Sequence, residues 1–128
     1  MDTTSKTKPI ADYFETHDTK FIAEDAVFIN MDSGEKTNGR FAIGEMLQYM
    51  YHIAFDAHAE ITNTIITDDK AVLEAYFVGK HIGEFAGIQA TQKNVKVPLC
   101  VTYDLDNDLI KEARIYMSTS VMMQQLNA

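Results

Sequence analysis

Ala71-Val72-Leu73-Glu74-Ala75-Tyr76-Phe77-Val78-Gly79-Lys80-His81-Ile82-Gly83-Glu84-Phe85-Ala86-Gly87-Ile88 alternates along its first part and then breaks on three glycines and a histidine. Period-two alternation marks a half-buried strand. It puts Leu73, Ala75, Phe77, Gly79 and His81 on one face and Glu74, Tyr76, Val78 and Lys80 on the other. By parity, His81 shares the apolar face where the strand ends. Two readings are open for it. One is a proton carrier, because an imidazole titrates near neutrality and its surroundings set its protonation. The other is a core histidine satisfied by a backbone carbonyl, the commoner role of a buried histidine.

On the N-terminal side, Pro9 opens a short helix with Ile10, Tyr13, Phe14 and His17 on one side, ending near His17-Asp18. Residues 1–8 read as a flexible leader and residues 9–128 as a single domain. Ala26 to Met31 reads as a strand, ended by the turn-rich Asp32-Ser33-Gly34-Glu35-Lys36. From Arg40 to Ile53, Ile43, Met46, Leu47, Met50 and Ile53 recur every three or four residues, which predicts an amphipathic helix after Asn38-Gly39. Strands follow over Ala59 to Thr67, Ala71 to His81, Val95 to Leu105 and Leu109 to Met117, with turns at Asp68-Asp69-Lys70 and Asp106-Asn107-Asp108. Thr119 to Leu126 reads as a short helix capped by Ser118. Consecutive hairpins predict an antiparallel sheet whose one face is covered by the earlier helices: an α+β domain whose curved sheet leaves a pocket.

Composition narrows the function. With 19 acidic against 11 basic residues, the net charge of -8 repels phosphate backbones, and nucleic-acid binding is not expected. No apolar run approaches the roughly 18 residues of a membrane span, so neither a signal peptide nor a membrane anchor is expected. The single Cys100 excludes an intramolecular disulfide and a cysteine-rich metal site, and fits a cytoplasmic protein. His17, His52 and His58 fall on different elements without ligand spacing, so no metal is expected. Met46, Met50, Met117, Met122 and Met123 follow helical or strand periodicity and read as packing.

Gly79-Lys80-His81-Ile82-Gly83-Glu84-Phe85-Ala86-Gly87-Ile88 resembles the motif GTHxGxFxGxxPTG of the SnoaL-like polyketide cyclase group in the nuclear transport factor 2-like superfamily. Lys80 replaces the motif threonine, and Gln89-Ala90-Thr91-Gln92 stands where proline, threonine and glycine are usual. The likeness extends through Glu24-Asp25-Ala26-Val27-Phe28, Gly39-Arg40-Phe41-Ala42-Ile43 and Leu109 to Tyr116, and takes in the ending at Leu126. It implies a cone-shaped, cystatin-like α+β fold enclosing a cavity, a homodimer through the outer sheet face, and no cofactor. It also implies proton-transfer chemistry, since cyclases of this group close rings by aldol reaction with an equivalent of His81 in the cavity. Their aspartate on the following strand has no counterpart, because Asn94 to Val101 carries Lys96, Pro98 and Cys100. Against the related ketosteroid isomerases, Asn30 falls at the base position, Tyr13 near a donor tyrosine and Cys100 near the second donor.

Glu112, Arg114, Tyr116 and Ser118 share one face of the last strand, opposite Lys111, Ala113, Ile115 and Met117. The residues alone leave Glu112 and Arg114 to solvent as a weak ion pair. The resemblance turns that face into the cone. There Arg114 and Tyr116 would hold an oxyanion, and Glu112 would replace the missing carboxylate or pair with Arg114. The candidate catalytic set is therefore His81, Arg114, Tyr116 and Glu112. The candidate wall is Tyr13, Phe28, Asn30, Tyr49, Phe77 and Cys100, a mostly apolar lining suited to a small apolar molecule. The expected function is cofactor-free cyclisation or isomerisation of a carbonyl compound. The alternative is a noncatalytic binding domain with the same cavity.

Overall fold

The sheet is built outward from β4 (Lys70–His81) in a computed structural model that describes residues 9–128. The predicted leader lies outside the described residues. β4 pairs antiparallel with β3 (Phe55–Ile66) on one side and β5 (Asn94–Asp106) on the other, and β5 pairs with β6 (Leu109–Met117). Asn107 and Asp108 have φ of 52° and 65°. Two successive left-handed residues make the primed turn whose twist matches a hairpin. The remaining strands are β1 (Ile22–Asn30) and β2 (Lys36–Asn38), giving the order β2-β1-β6-β5-β4-β3 in one open sheet. Irregularities at Ile61/Asn63, at Asp104/Leu105 and between Ile22 and Val27 fit its curvature, because each one bends and twists a strand.

β1 runs parallel to β6, pairing Phe28 with Ala113 and Asn30 with Ile115, whereas the hairpin pattern predicts antiparallel neighbours only. A parallel pair needs a long crossover, and here everything between β1 and β6 supplies it, so no local signal announces the pairing. β1 also begins at Ile22 rather than Ala26, and β3 at Phe55 rather than Ala59. In both cases, ladder partners from distant strands extend the element beyond its local pattern.

Helix α1 (Pro9–Thr16) buries Ile10, Tyr13 and Phe14. A 3-10 turn (Thr19–Phe21) then leads into β1. Gly39, at φ 90°, precedes helix α2 (Arg40–Gln48), which buries Ile43. The predicted helix to Ile53 changes character: Tyr49–Ile53 forms a π-helical turn, with the Ala54 N–H donating to the Tyr49 carbonyl at 2.7 Å. The five-residue spacing rotates the apolar stripe. Tyr51 therefore turns inward, while Ile53 is 52 % exposed. Helix α3 (Thr119–Leu126) starts where predicted, with Ser118 Oγ accepting from the Val121 N–H. Gln125 is bonded to both the N–H and the carbonyl of Lys96, a stretch of β5 that β6 does not reach.

Two apolar clusters result. The larger joins α1, α2 and the middle of the sheet. The smaller gathers Tyr51, Phe55, Phe77, Val95, Val97, Met122 and Leu126. The glycines of the opening stretch set how closely the parts approach. A Cβ on Gly79 would lie 2.5 Å from the Asp56 carbonyl oxygen, and one on Gly83 would lie 2.4 Å from that of Ile53. The Ile82 and Gly83 N–H groups both donate to the Ala54 carbonyl, at 2.9 Å each. Gly83→Ala is expected to lower stability by about 1–3 kcal/mol, since rigid backbone must move. A lower urea midpoint with an unchanged slope would show it.

Candidate functional site

A cavity of about 270 Å³ is walled by members of both apolar clusters. Phe28, Leu73, Phe77, Leu99, Val101, Ile115 and Met117 supply apolar surface from the inner sheet face, and Met46, Leu47 and Met50 supply it from the helical layer. Set into this wall are Tyr13 from α1, Tyr51 from the π turn and Tyr103 from β5, with His17 just beyond α1. The Tyr13 ring lies 6.0 Å from Tyr103 and 5.3 Å from His17, and His17 lies 4.5 Å from Tyr51. None of the three hydroxyls hydrogen-bonds to another described residue.

Burial sets the protonation of this group. It pushes the Tyr51 phenol up to about 12 and those of Tyr13 and Tyr103 well above the usual phenol value, with neighbouring phenols adding to the last two. All three are therefore neutral donors at pH 7. Burial lowers His17 to about 4, with His52 contributing, so its imidazole is neutral as well. The more exposed rim carries Asn30, Glu35, Thr37 and Thr119. Asn30 Oδ1 accepts the N–H groups of Asp32 and Ser33 at 2.9 and 3.2 Å, so its amide nitrogen is left for other partners.

His81 is fully buried but is not part of this wall. Its Nδ1 accepts the Thr91 N–H at 3.2 Å and lies 3.0 Å from Thr91 Oγ1, and its ring packs 5.1 Å from Phe55. With that lone pair engaged, the proton sits on Nε2, which is buried without a partner among the described residues. The histidine thus ties the end of β4 to the returning loop. Its backbone repeats the tie through Lys93 and Gln92.

The other expected catalytic residues lie on the opposite side of the sheet. Ala113, Ile115 and Met117 face inward, so parity turns Glu112, Arg114 and Tyr116 outward, beside Asp104, Thr102 and Cys100. There Arg114 donates to both Asp104 oxygens at 3.0 and 3.1 Å, to Glu112 at 2.5 Å and to Thr102 at 3.0 Å. Arg114 and then Lys70 hold the Asp104 carboxyl at about 2. The carboxylates in turn raise the Arg114 guanidinium. Cys100 is half-buried on this outer face, and burial and Glu74 raise its thiol, which keeps it protonated.

The sequence model of the SnoaL-like polyketide cyclase family matches residues 12–126. The chain belongs to this family. No curated protein sequence matches it significantly. Among solved structures, this SnoaL-like chain superposes on a protein of Jannaschia sp. CCS1 assigned as a SnoaL-like polyketide cyclase. The TM-score is 0.84 at 16 % identity, over 98 % of this chain and 93 % of that one. A protein of Silicibacter sp. TM1040 assigned as a polyketide cyclase gives 0.79 at 22 % identity, over 94 % and 93 %. IdmH of Streptomyces antibioticus, with the same assignment, gives 0.75 at 20 % identity, over 94 % and 96 %. At these identities the likeness concerns the fold.

Within this SnoaL-like fold, Tyr13, Phe28, Asn30 and Phe77 line the cavity and Tyr49 and Cys100 do not. Tyr49 falls off the apolar stripe of α2 that Ile43, Met46, Leu47 and Met50 continue, and its hydroxyl donates to the Glu84 carbonyl. The polar wall residues beyond the expected set include His17, Tyr51 and Tyr103. Tyr103 shares the parity of Leu99 and Val101, and His17 lies one turn beyond Tyr13, so both carried a readable signal. Tyr51 did not, because regular helical spacing places it outside the stripe. Among the described residues, no three His, Cys, Asp or Glu side chains converge as a metal site, and no helix is long and apolar enough to cross a membrane.

Two outcomes follow for the residues off the cavity. His81→Ala is expected to cost about 3 kcal/mol in urea unfolding, as deletion of a fully buried side chain does. Arg114→Leu should cost about 1 kcal/mol at pH 7, the scale of a good exposed network. The folded carboxyl of Asp104 titrates lower than the unfolded one, so this deficit should shrink as pH falls from about 4 to about 2. Unfolding curves at pH 7 and pH 2 would check the difference.

Proposed function

We propose that this SnoaL-like protein takes a small, largely apolar carbonyl compound into the tyrosine-lined cavity and moves a proton on it, giving cyclisation or isomerisation. One observation carries this reading: three neutral phenol hydroxyls, unspent on other described residues, set with His17 in a mostly apolar inner wall. Phenols held in a dry wall donate best to an oxygen that gains negative charge, as a carbonyl oxygen does on enolisation. Such a reaction needs only a base and an oxyanion donor, so it is proposed as cofactor-free. The second reading is a binding domain with the same cavity. It is favoured by Glu35 being the only carboxylate among the described wall residues, and that at the exposed rim. With either reading we propose a homodimer through the outer sheet face, where Ile65 and Tyr116 are exposed. Sedimentation analysis would check it, a monomer at micromolar concentration opposing it.

Native mass spectrometry followed by denaturing extraction, on protein from its own source, tests the function. A retained polycyclic ketone or hydroxyketone supports proton transfer, whereas a retained fatty acid or carotenoid favours the binding domain. With 2-tetralone as a test ketone, Tyr103→Phe is expected to weaken binding about fivefold to tenfold, the effect of one neutral hydrogen bond. Calorimetry would measure it, and unchanged affinity would remove Tyr103 from carbonyl recognition.

A further inference from the structure

We propose that His17 is the general base of the cavity, taking the α-proton of a carbonyl compound whose oxygen is held by the Tyr13 and Tyr103 phenols. This rests on the carbonyl-compound reading of the cavity. His17 follows α1 with φ 54°, its N–H bonded to the Tyr13 carbonyl at 2.7 Å. Glycine fills this left-handed position after a helix most easily, and histidine is among the few other residues that adopt it. Here the imidazole joins the cavity wall between the rings of Tyr13 and Tyr51, and it makes no hydrogen bond to another described residue.

The setting suits a base. The titratable groups around the ring are Tyr13 on α1, Tyr51 and His52 on the π turn, Tyr103 beyond Tyr13 on β5, and Glu35 at the rim. The three phenols are neutral, and among the described wall residues no acid other than Glu35 competes for the proton. With its pKa near 4, the ring has the basicity of a carboxylate without the charge.

The step balances without an oxidant or reductant. A ring nitrogen takes the proton from the carbon beside the carbonyl. The C–H pair becomes the C=C bond of an enolate, and the carbonyl pair moves onto oxygen. For isomerisation, the imidazolium returns the proton to another carbon. For cyclisation, the enolate carbon adds to a second carbonyl and the new alkoxide takes the proton.

Exchange of the α-protons of 2-tetralone in D2O, followed by proton NMR, tests the assignment. Wild-type protein should accelerate exchange, with an acid limb near pH 4. His17→Gln should lose about 100-fold, within the range for a general base, while its affinity for 2-tetralone stays within about threefold. His52→Gln, at an exposed site, should move the acid limb to higher pH, and that variant keeps the test alive if His17→Gln fails to fold. Exchange by His17→Gln near the wild-type rate would overturn the role of His17 and leave the function standing. Binding of 2-tetralone by wild type without any exchange would overturn both.

Discussion

The contact on which the rest of the structure depends is the approach of Gly83 to the end of the π turn. There is no room for a Cβ between its backbone and the Ile53 carbonyl, and two successive N–H groups converge on Ala54. That junction fixes the exit of β4 against the exit of the helical layer. Because the π turn is pinned there, Tyr51 points into the cavity rather than to solvent. On the other side of the junction, His81 and Thr91 hold the returning loop, which includes Phe85 of the cavity wall. The glycine and histidine stretch thus clamps the chain around the cavity and gives Phe85 to its wall.

Inside the cavity, the governing effect is desolvation. Three phenols and an imidazole share an apolar wall, and burial drives each towards its neutral form. Neutral phenols are donors, and a neutral imidazole keeps a lone pair. The described phenols and imidazole of the inner wall therefore carry no charge in the resting protein. The protein's own charge is handled on the other face of the sheet. There Arg114, Asp104, Glu112 and Lys70 form a partly exposed network that solvent screens. The same strands serve both environments because successive residues face opposite sides.

Much of the fold was legible in the sequence, because its signals are local. Alternation marked β4, β5 and β6, the turn residues Asp106-Asn107-Asp108 joined a hairpin, and Ser118 announced α3. The resemblance of Gly79 to Ile88 to the SnoaL-like motif supplied the architecture that joins these elements. The parallel pairing of β1 with β6 stayed hidden, since partners so far apart in sequence leave no periodic trace.

The candidate site divides the same way. The sequence by itself determined that one face of the sheet is apolar, that Phe28 and Phe77 belong to it and Tyr13 to the buried side of α1, and that a cavity would form beneath a curved sheet. Only the tertiary structure decided which polar groups reach that cavity. A bulge, a π turn or one left-handed residue rotates everything after it by a fraction of a turn, and non-local packing selects where these occur. For that reason Tyr51 is in the wall, whereas strand alternation and the side on which the helices pack turn Arg114 and Tyr116 away from it.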